Sequence, residues 1–277
     1  MNLSELTDLY NFRGKTALIS GGNGVLGGKI ACGLVGLGAS VVMLDRNTDI
    51  PQEYQPLLVN GPGSYLVIHG DVLDRDSLLT ARKKVIESFG KIDMLVNAAG
   101  GNHPHATTGA ERTFFELPED ALRFTSDLNL LGTILPCQIF AEQMVKQDAG
   151  VILNISSMNA FRPLTRIPAY SAAKAAVSNF TQWLAVHMAQ EYSPKIRVNA
   201  LAPGFFLTRQ NRFLLMDDAG KNLTDRGQTI IEHTPMGRFG IPEDLLGTVF
   251  WLLSSASQFV TGIVIPVDGG FSAFSGV

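Results

Sequence analysis

Seven short apolar runs in this chain show no alternation of polar and apolar residues, and helical patterns separate them. They are residues 15–20 (KTALIS), 40–44 (SVVML), 65–69 (YLVIH), 92–96 (IDMLV), 151–155 (VILNI), 196–200 (IRVNA) and 262–267 (GIVIPV). A strand with one wet face alternates at period two. A run that is apolar throughout has both faces covered, as in a parallel sheet with helices on either side. Residues 25–37, 77–89, 118–147, 172–190 and 242–254 space their apolar side chains at helical intervals. Together these patterns predict a doubly wound α/β fold of the Rossmann type, with a seven-stranded parallel sheet in a single domain spanning 1–277. No internal repeat, linker or low-complexity segment interrupts it. Two irregular stretches remain, about 101–117 and 203–235. Both follow the carboxyl ends of strands, where open α/β sheets bind ligands, so both are expected to be substrate loops.

The first strand runs into Ser20-Gly-Gly-Asn-Gly-Val-Leu-Gly27. Gly22, Gly24 and Gly27 fit G-x-G-x-x-G, a turn that lets backbone approach a pyrophosphate at a helix N-terminus. Such a match on its own is equally a tight strand-to-helix turn. Here a strand precedes it, a helix follows, and an acidic residue, Asp45, ends the next strand eighteen positions beyond Gly27. A carboxylate there accepts hydrogen bonds from a ribose 2′-hydroxyl and repels a 2′-phosphate, which points to NAD. Arg46 beside it leaves NADP open, since a guanidinium can hold that phosphate.

Tyr170 and Lys174 lie four residues apart and share one helix face. An ammonium near a phenol favours the phenolate, so the pair is a candidate general acid/base with Lys174 lowering the Tyr170 pKa. The plain alternative is a buried aromatic beside a solvated charge. Composition excludes other classes. A net charge of -3 with 17% charged residues gives no footprint for nucleic acid. No apolar run is long enough to span a membrane, and the first fifteen residues lack the basic-then-apolar order of a secretory signal. Cys32 and Cys137 fall in apolar helical stretches without ligand spacing, as reduced thiols of a cytoplasmic protein would. His103, His105, His187 and His233 have no metal-ligand spacing with Cys or carboxylates, so no metal is expected.

With these residues in place, the chain resembles the short-chain dehydrogenase/reductase family from Lys15 to Gly270. The family's T-G-x-x-x-G-x-G pattern maps onto Ser20, Gly21, Val25 and Gly27, with Ser for Thr and Val25 at the middle glycine. Asn23 and Leu26 belong to the same cofactor turn. Asp71-Val72 matches the acid-hydrophobic pair that contacts adenine. Asn97-Ala98-Ala-Gly100 matches N-N-A-G with Ala98 for the second Asn. Asn129 matches the helix asparagine of a proton relay, implied to anchor a water that links Lys174 to solvent. Ser157 stands thirteen residues before Tyr170, the family's spacing for its catalytic serine, while Ser156 reads as a structural hydroxyl. Pro203-Gly204-Phe-Phe206-Leu-Thr208 matches P-G-x-x-x-T, implied to hold the nicotinamide carboxamide. The resemblance thus implies NAD-linked exchange between a secondary alcohol and a ketone. In it Tyr170 moves the proton, Ser157 holds the reacting oxygen, and Lys174 binds the nicotinamide ribose.

Residues 99–108, 203–215 and 271–277 look like the family's mannonate oxidoreductase branch, which implies interconversion of D-mannonate and D-fructuronate. A polyhydroxy acid needs a cation for its carboxylate and neutral groups for its hydroxyls. Arg162, Arg166, Arg209 and Arg212 are the candidate cations, with Arg209 or Arg212 expected at the carboxylate. Asn102, His103, Asn159, Gln210 and Asn211 are the candidates for hydroxyls. Phe205, Phe206, Phe213 and Leu214 are expected to close a lid over the nicotinamide. Another polyol or keto sugar, such as a gluconate, is the alternative substrate. A nucleotide-binding regulator without turnover is the alternative class, and the presence of both Ser157 and Tyr170 argues against it. Family members are commonly tetramers, so a homotetramer or homodimer through 118–147 and 172–190 is expected.

Overall fold

In the computed structural model, which describes residues 1–207, 215–217 and 222–276, the seven runs form one parallel sheet. Its strands are β1 (Thr16–Ser20), β2 (Ser40–Asp45), β3 (Ser64–His69), β4 (Met94–Asn97), β5 (Gly150–Ile155), β6 (Ile196–Pro203) and β7 (Val264–Val267). Their order is β3-β2-β1-β4-β5-β6-β7, every neighbour parallel. The chain moves outward from β1 to β3, then crosses back to β4 on the other side of β1. That reversal leaves a crevice at the carboxyl ends of β1 and β4, the place where such sheets bind ligands.

Both faces of the sheet are covered, which explains the missing alternation. On one face Ile19, Met43 and Val96 pack with Ile30 and Leu34 of α2 (Val25–Gly36) and with Val249 and Leu252 of the helix Leu246–Leu253. On the other, Leu18, Val42 and Leu95 pack with Val85 of α4 (Arg75–Phe89), Phe140 of α6 (Gly132–Lys146) and Leu184 of α7 (Pro168–Glu191). Truncating a leucine buried like Leu95 to alanine costs about 2–5 kcal/mol, because the cavity adds to the lost transfer energy. Cys32 and Cys137 are free thiols in these two layers, and burial pushes their pKa values to about 11 and about 12.

Several local features depart from the sequence expectation. Residues 118–147 are not one helix: α5 (Glu119–Ser126) passes through a π-helical turn, Asp127–Leu131, before α6 begins. A π turn accommodates one extra residue without changing the apolar pattern on either side, so periodicity does not reveal it. Loop 101–117 holds two 3₁₀ turns, Pro104–Ala106 and Phe114–Glu116. Within 203–235 the helix Asp225–Glu232 forms, its first turn capped by the Thr224 hydroxyl, which accepts from the Gly227 N–H at 3.1 Å. Two short helices, α1 (Leu3–Leu9) and α3 (Gln55–Val59), span too few turns for a periodic signal. Among the described residues no helix is long and apolar enough to cross a membrane.

Candidate active site

The turn after β1 is built from backbone. Gly21 holds φ +67°, donates its N–H to the Leu44 carbonyl at 2.9 Å, and passes so close to β4 that a β-carbon would stand 2.8 Å from the Ala99 Cα. A β-carbon on Gly27 would overlap the Gly21 carbonyl oxygen. Gly24 is the N-cap of α2, so the first free N–H groups of the helix open toward the crevice. Val25, which departs from the family pattern, occupies the first helical position, where a side chain is no obstacle, and its carbonyl accepts from the Tyr54 hydroxyl at 3.0 Å. Gly21, Asn23, Val25, Leu26, Gly27, Ala98, Gly100, Tyr170 and Lys174 all line one cavity of about 380 Å³. Residues expected from three separate stretches of sequence therefore meet at the switch point.

A second cavity of about 550 Å³ continues past the end of β2 and shares Asn23 and Glu53 with the first. Asp45 stands in its wall, accepting from the Asn23 N–H at 3.1 Å and the Asn47 N–H at 3.2 Å. Asp49 and Glu53, which the sequence reading passed over, line it too, while Arg46 is exposed and absent from the lining. Their signal was there: two further acids within eight residues of Asp45. This end of the cleft suits a ribose diol and opposes a 2′-phosphate. Asp71 follows β3 and folds its carboxylate back onto the Leu73 N–H at 2.9 Å, and Val72 is buried against Gly132.

Around the reacting centre, Lys174 is buried and donates its Nζ to the Ile155 carbonyl at 2.8 Å. It stands 5.6 Å from the Tyr170 ring centroid. Ser157 stands beside the Tyr170 phenol, and its hydroxyl accepts from the Asn159 N–H at 3.3 Å. Ser156 is the structural hydroxyl expected of it, pairing with the Lys174 carbonyl at 3.0 Å and the Ser178 hydroxyl at 2.7 Å. The electrostatics differ from the sequence expectation. Burial pushes the Tyr170 phenol above its ordinary value, outweighing the opposing bond from Ser157. The same burial pushes Lys174 down to about 8. Desolvation penalises each charged form more than the pair's proximity repays, so the expected lowering of the phenol by Lys174 is not the dominant effect.

Several expected residues turn elsewhere. The Asn97 side chain faces the protein interior, donating to Asn154 Oδ1 at 2.9 Å and Cys137 Sγ at 3.2 Å, so only its backbone faces the cleft side of β4. Asn129 spends its amide on backbone: Nδ2 donates to the Gly101 and Thr125 carbonyls, both at 2.7 Å, and Oδ1 accepts from the Gly101 N–H at 3.1 Å. No side-chain donor is left to anchor a water. The His103 Nδ1 caps a 3₁₀ turn by accepting from the His105 N–H at 3.1 Å, with its ring against Phe124. The Phe206 ring packs in the core against Gly240 rather than lying over the cleft as a lid. Gly204, just past Pro203, lets the chain pass Asp268, where a β-carbon would stand 2.6 Å from its Cα. Asn102 and Asn159 each present a buried side-chain oxygen with no partner. Thr208, Arg209, Gln210, Asn211, Arg212, Phe213 and Leu214 lie outside the described residues.

The family model described as enoyl-(acyl carrier protein) reductase matches residues 23–272. The Bacillus subtilis oxidoreductase UxuB is 46% identical over 276 residues, 96% of this chain and 98% of its own. The chain belongs to the short-chain dehydrogenase/reductase family. A 2-dehydro-3-deoxy-D-gluconate 5-dehydrogenase of Dickeya dadantii is 34% identical, covering 97% of this chain and 99% of its own. Among solved structures, a Haemophilus influenza protein described as a candidate D-mannonate oxidoreductase with bound NAD superposes with a TM-score of 0.90 at 43% identity, over 98% of this chain and all of that one. As a short-chain dehydrogenase/reductase, the protein is an oxidoreductase that acts on alcohol groups with a nicotinamide dinucleotide. The cleft fits that cofactor: Gly21 and Gly27 leave a backbone cradle for the pyrophosphate, and Asp45 stands in the adjoining cavity where a ribose diol would lie.

Proposed function

We propose that the protein interconverts a sugar acid alcohol and its ketone with NAD, the pair being D-mannonate and D-fructuronate. The observation that carries this is the cleft itself, which sets Tyr170 and Lys174 beside the glycine turn and Asp45, Asp49 and Glu53 at its far end. The name of the Haemophilus structure supports the same substrate. A gluconate-type acid is the second reading, supported by the Dickeya relative. A spectrophotometric panel of hexonates and hexuronates, run with both NADH and NADPH, tests both. Turnover of fructuronate with NADH ahead of NADPH is expected, and absence of turnover on fructuronate and mannonate removes the specific pair.

In this reading a nicotinamide dinucleotide held by the glycine turn and Asp45 would supply hydride chemistry at the carbinol carbon. Tyr170 gives its proton to the ketone oxygen in reduction and takes it back in oxidation. Ser157 donates a hydrogen bond to that oxygen and fixes it against the phenol. Lys174, held on the Ile155 carbonyl, places its ammonium beside the phenolate as it forms. Asn129 acts through backbone, fixing Gly101 and so the floor under Lys174. A phenol raised above its ordinary value is protonated at neutral pH, ready as an acid and short as a base. Alcohol oxidation is therefore expected to accelerate with rising pH, and ketone reduction to hold level and then fall. Above about 8 the loss of the Lys174 charge blunts the oxidative gain. Initial rates in both directions across the range check this, and a flat oxidative profile would remove Tyr170 as the titrating base.

The outer faces of α6 and α7 expose Trp183 and Tyr192 around an apolar groove with Phe180, which supports a homotetramer or homodimer. Sedimentation velocity reads this directly, and a monomer would end it. Two free buried thiols suit a cytoplasmic setting.

A further inference from the structure

The segment that follows β2 is fastened to the glycine turn and its helix at both ends. At one end the Asn23 amide donates to the Asn47 carbonyl, and the Asn47 N–H donates to Asp45 Oδ1 at 3.2 Å. At the other, the Tyr54 ring lies so close on α2 that a β-carbon on Gly28 would stand 2.3 Å from it. The Tyr54 hydroxyl also donates to the Val25 carbonyl at 3.0 Å. Between these ties the Asp49 N–H donates to Asn47 Oδ1 and the Tyr54 N–H to the Pro51 carbonyl, both at 2.9 Å, so the backbone is folded rather than slack. This anchored segment sets Asp49 and Glu53 in the wall of the outer cavity, of about 550 Å³, that Asp45 also lines. Glu53 lines the inner cavity too, where the glycine turn lies, whereas Asp49 lines the outer one alone. Among the described residues, the outer wall holds three carboxylates and no lysine or arginine.

We propose that Asp49 and Glu53 are specificity-determining residues for the dinucleotide, excluding its 2′-phosphorylated form by charge together with Asp45. This rests on the NAD reading of the cleft. An ionised carboxylate only accepts hydrogen bonds, so it can meet a ribose hydroxyl but offers a phosphate nothing. A phosphate monoester adds about 1.5 to 2 negative charges at neutral pH, and each carboxylate on the wall repels it. Exclusion is thus spread over the segment, and replacing Asp45 alone leaves two of three charges in place. Glu53, bordering the pyrophosphate turn as well, opposes both dinucleotides, the phosphorylated one more. Asp49 and Glu53 are exposed, so salt screens their repulsion.

The test is fluorescence titration with NADH and with NADPH, which reads binding without turnover. Asp49→Asn is expected to lower the preference for NADH about fivefold, the effect of two unit charges in close approach through water. Glu53→Gln is expected to tighten both dinucleotides, NADPH by the larger factor. The double variant is expected to combine the two losses of preference, to about 25-fold. Asp45→Ser is expected to weaken NADH while bringing NADPH only part of the way to the wild-type NADH affinity. Raising salt from about 0.02 to about 0.5 M is expected to narrow the wild-type preference, and to narrow it less in the double variant. Glu87→Gln removes the same charge from the exposed side of α4, outside both cavities, and is expected to keep the wild-type preference. If a variant loses its fold, read by circular dichroism, the salt series on wild type carries the comparison, and a preference independent of salt overturns the proposal. A complete switch to NADPH by Asp45→Ser alone also overturns it, as does an equal loss of preference in Glu87→Gln. A wild-type protein that binds NADH and NADPH equally sinks the NAD reading as well. A preference for NADH that survives intact in the double variant sinks this proposal alone.

Discussion

Tyr170→Phe is expected to lower kcat by about two to four orders of magnitude, the range for losing a positioned general acid/base, while NADH binds with unchanged affinity. The substitution removes one oxygen and keeps the ring, so the 5.6 Å packing of Lys174 over it persists. The Lys174 bond to the Ile155 carbonyl and the glycine turn are likewise untouched. Initial rates and a fluorescence titration with NADH separate the two effects. Activity within about tenfold of wild type would mean that another group moves the proton. Loss of NADH binding together with turnover would mean that the phenol holds the cofactor site together rather than acting in the reaction.

Gly100→Ala is the second large effect. The added β-carbon would stand 2.7 Å from Asn129 Oδ1 and 3.2 Å from Lys174 Nζ, so one of the two must give way. Moving Asn129 breaks its clamp on Gly101, and moving Lys174 leaves the buried Ile155 carbonyl unpaired. Either route costs about 1–3 kcal/mol, the usual penalty for overfilling a packed site. A fall in kcat of at least about tenfold is also expected, since a shift of about 1 Å in the reacting groups has effects on this scale. Thermal melts and kinetics read both. Gly247→Ala is the control, because a β-carbon there meets nothing within 4 Å and helix propensity favours alanine. Equal behaviour of the two variants would show that crowding at Gly100 does not matter.

What could be read from the sequence depended on the range of the physics involved. The sheet was legible because burial on both faces removes alternation from the inner strands, such as Thr16–Ser20 and Ile196–Pro203, and the partly buried edge strands keep the same apolar run. The cofactor turn was legible because it is local: Gly27, in α2's first turn, answers to Gly21 six residues before it, and Asp45 ends the next strand. Side-chain direction was not. Whether Asn97 faces cofactor or core is decided by Asn154 and Cys137, which are far from it in sequence. The sign of the Tyr170 shift was illegible for the same reason: a lysine four residues away can be counted, but the depth of burial that outweighs it cannot.

The π-helical turn at Asp127–Leu131 bears on how this chain tolerates change in length. One residue fewer there would let α5 and α6 join into a single regular helix, turning everything on one side by roughly 100° relative to the other. The result would be a more ideal secondary structure with the Asn129 amide rotated away from Gly101. Local regularity and a working site thus pull in opposite directions over five residues. A redesign that rewards smooth helices would erase this irregularity first, so those five positions need to be held fixed while the rest of the bundle is improved.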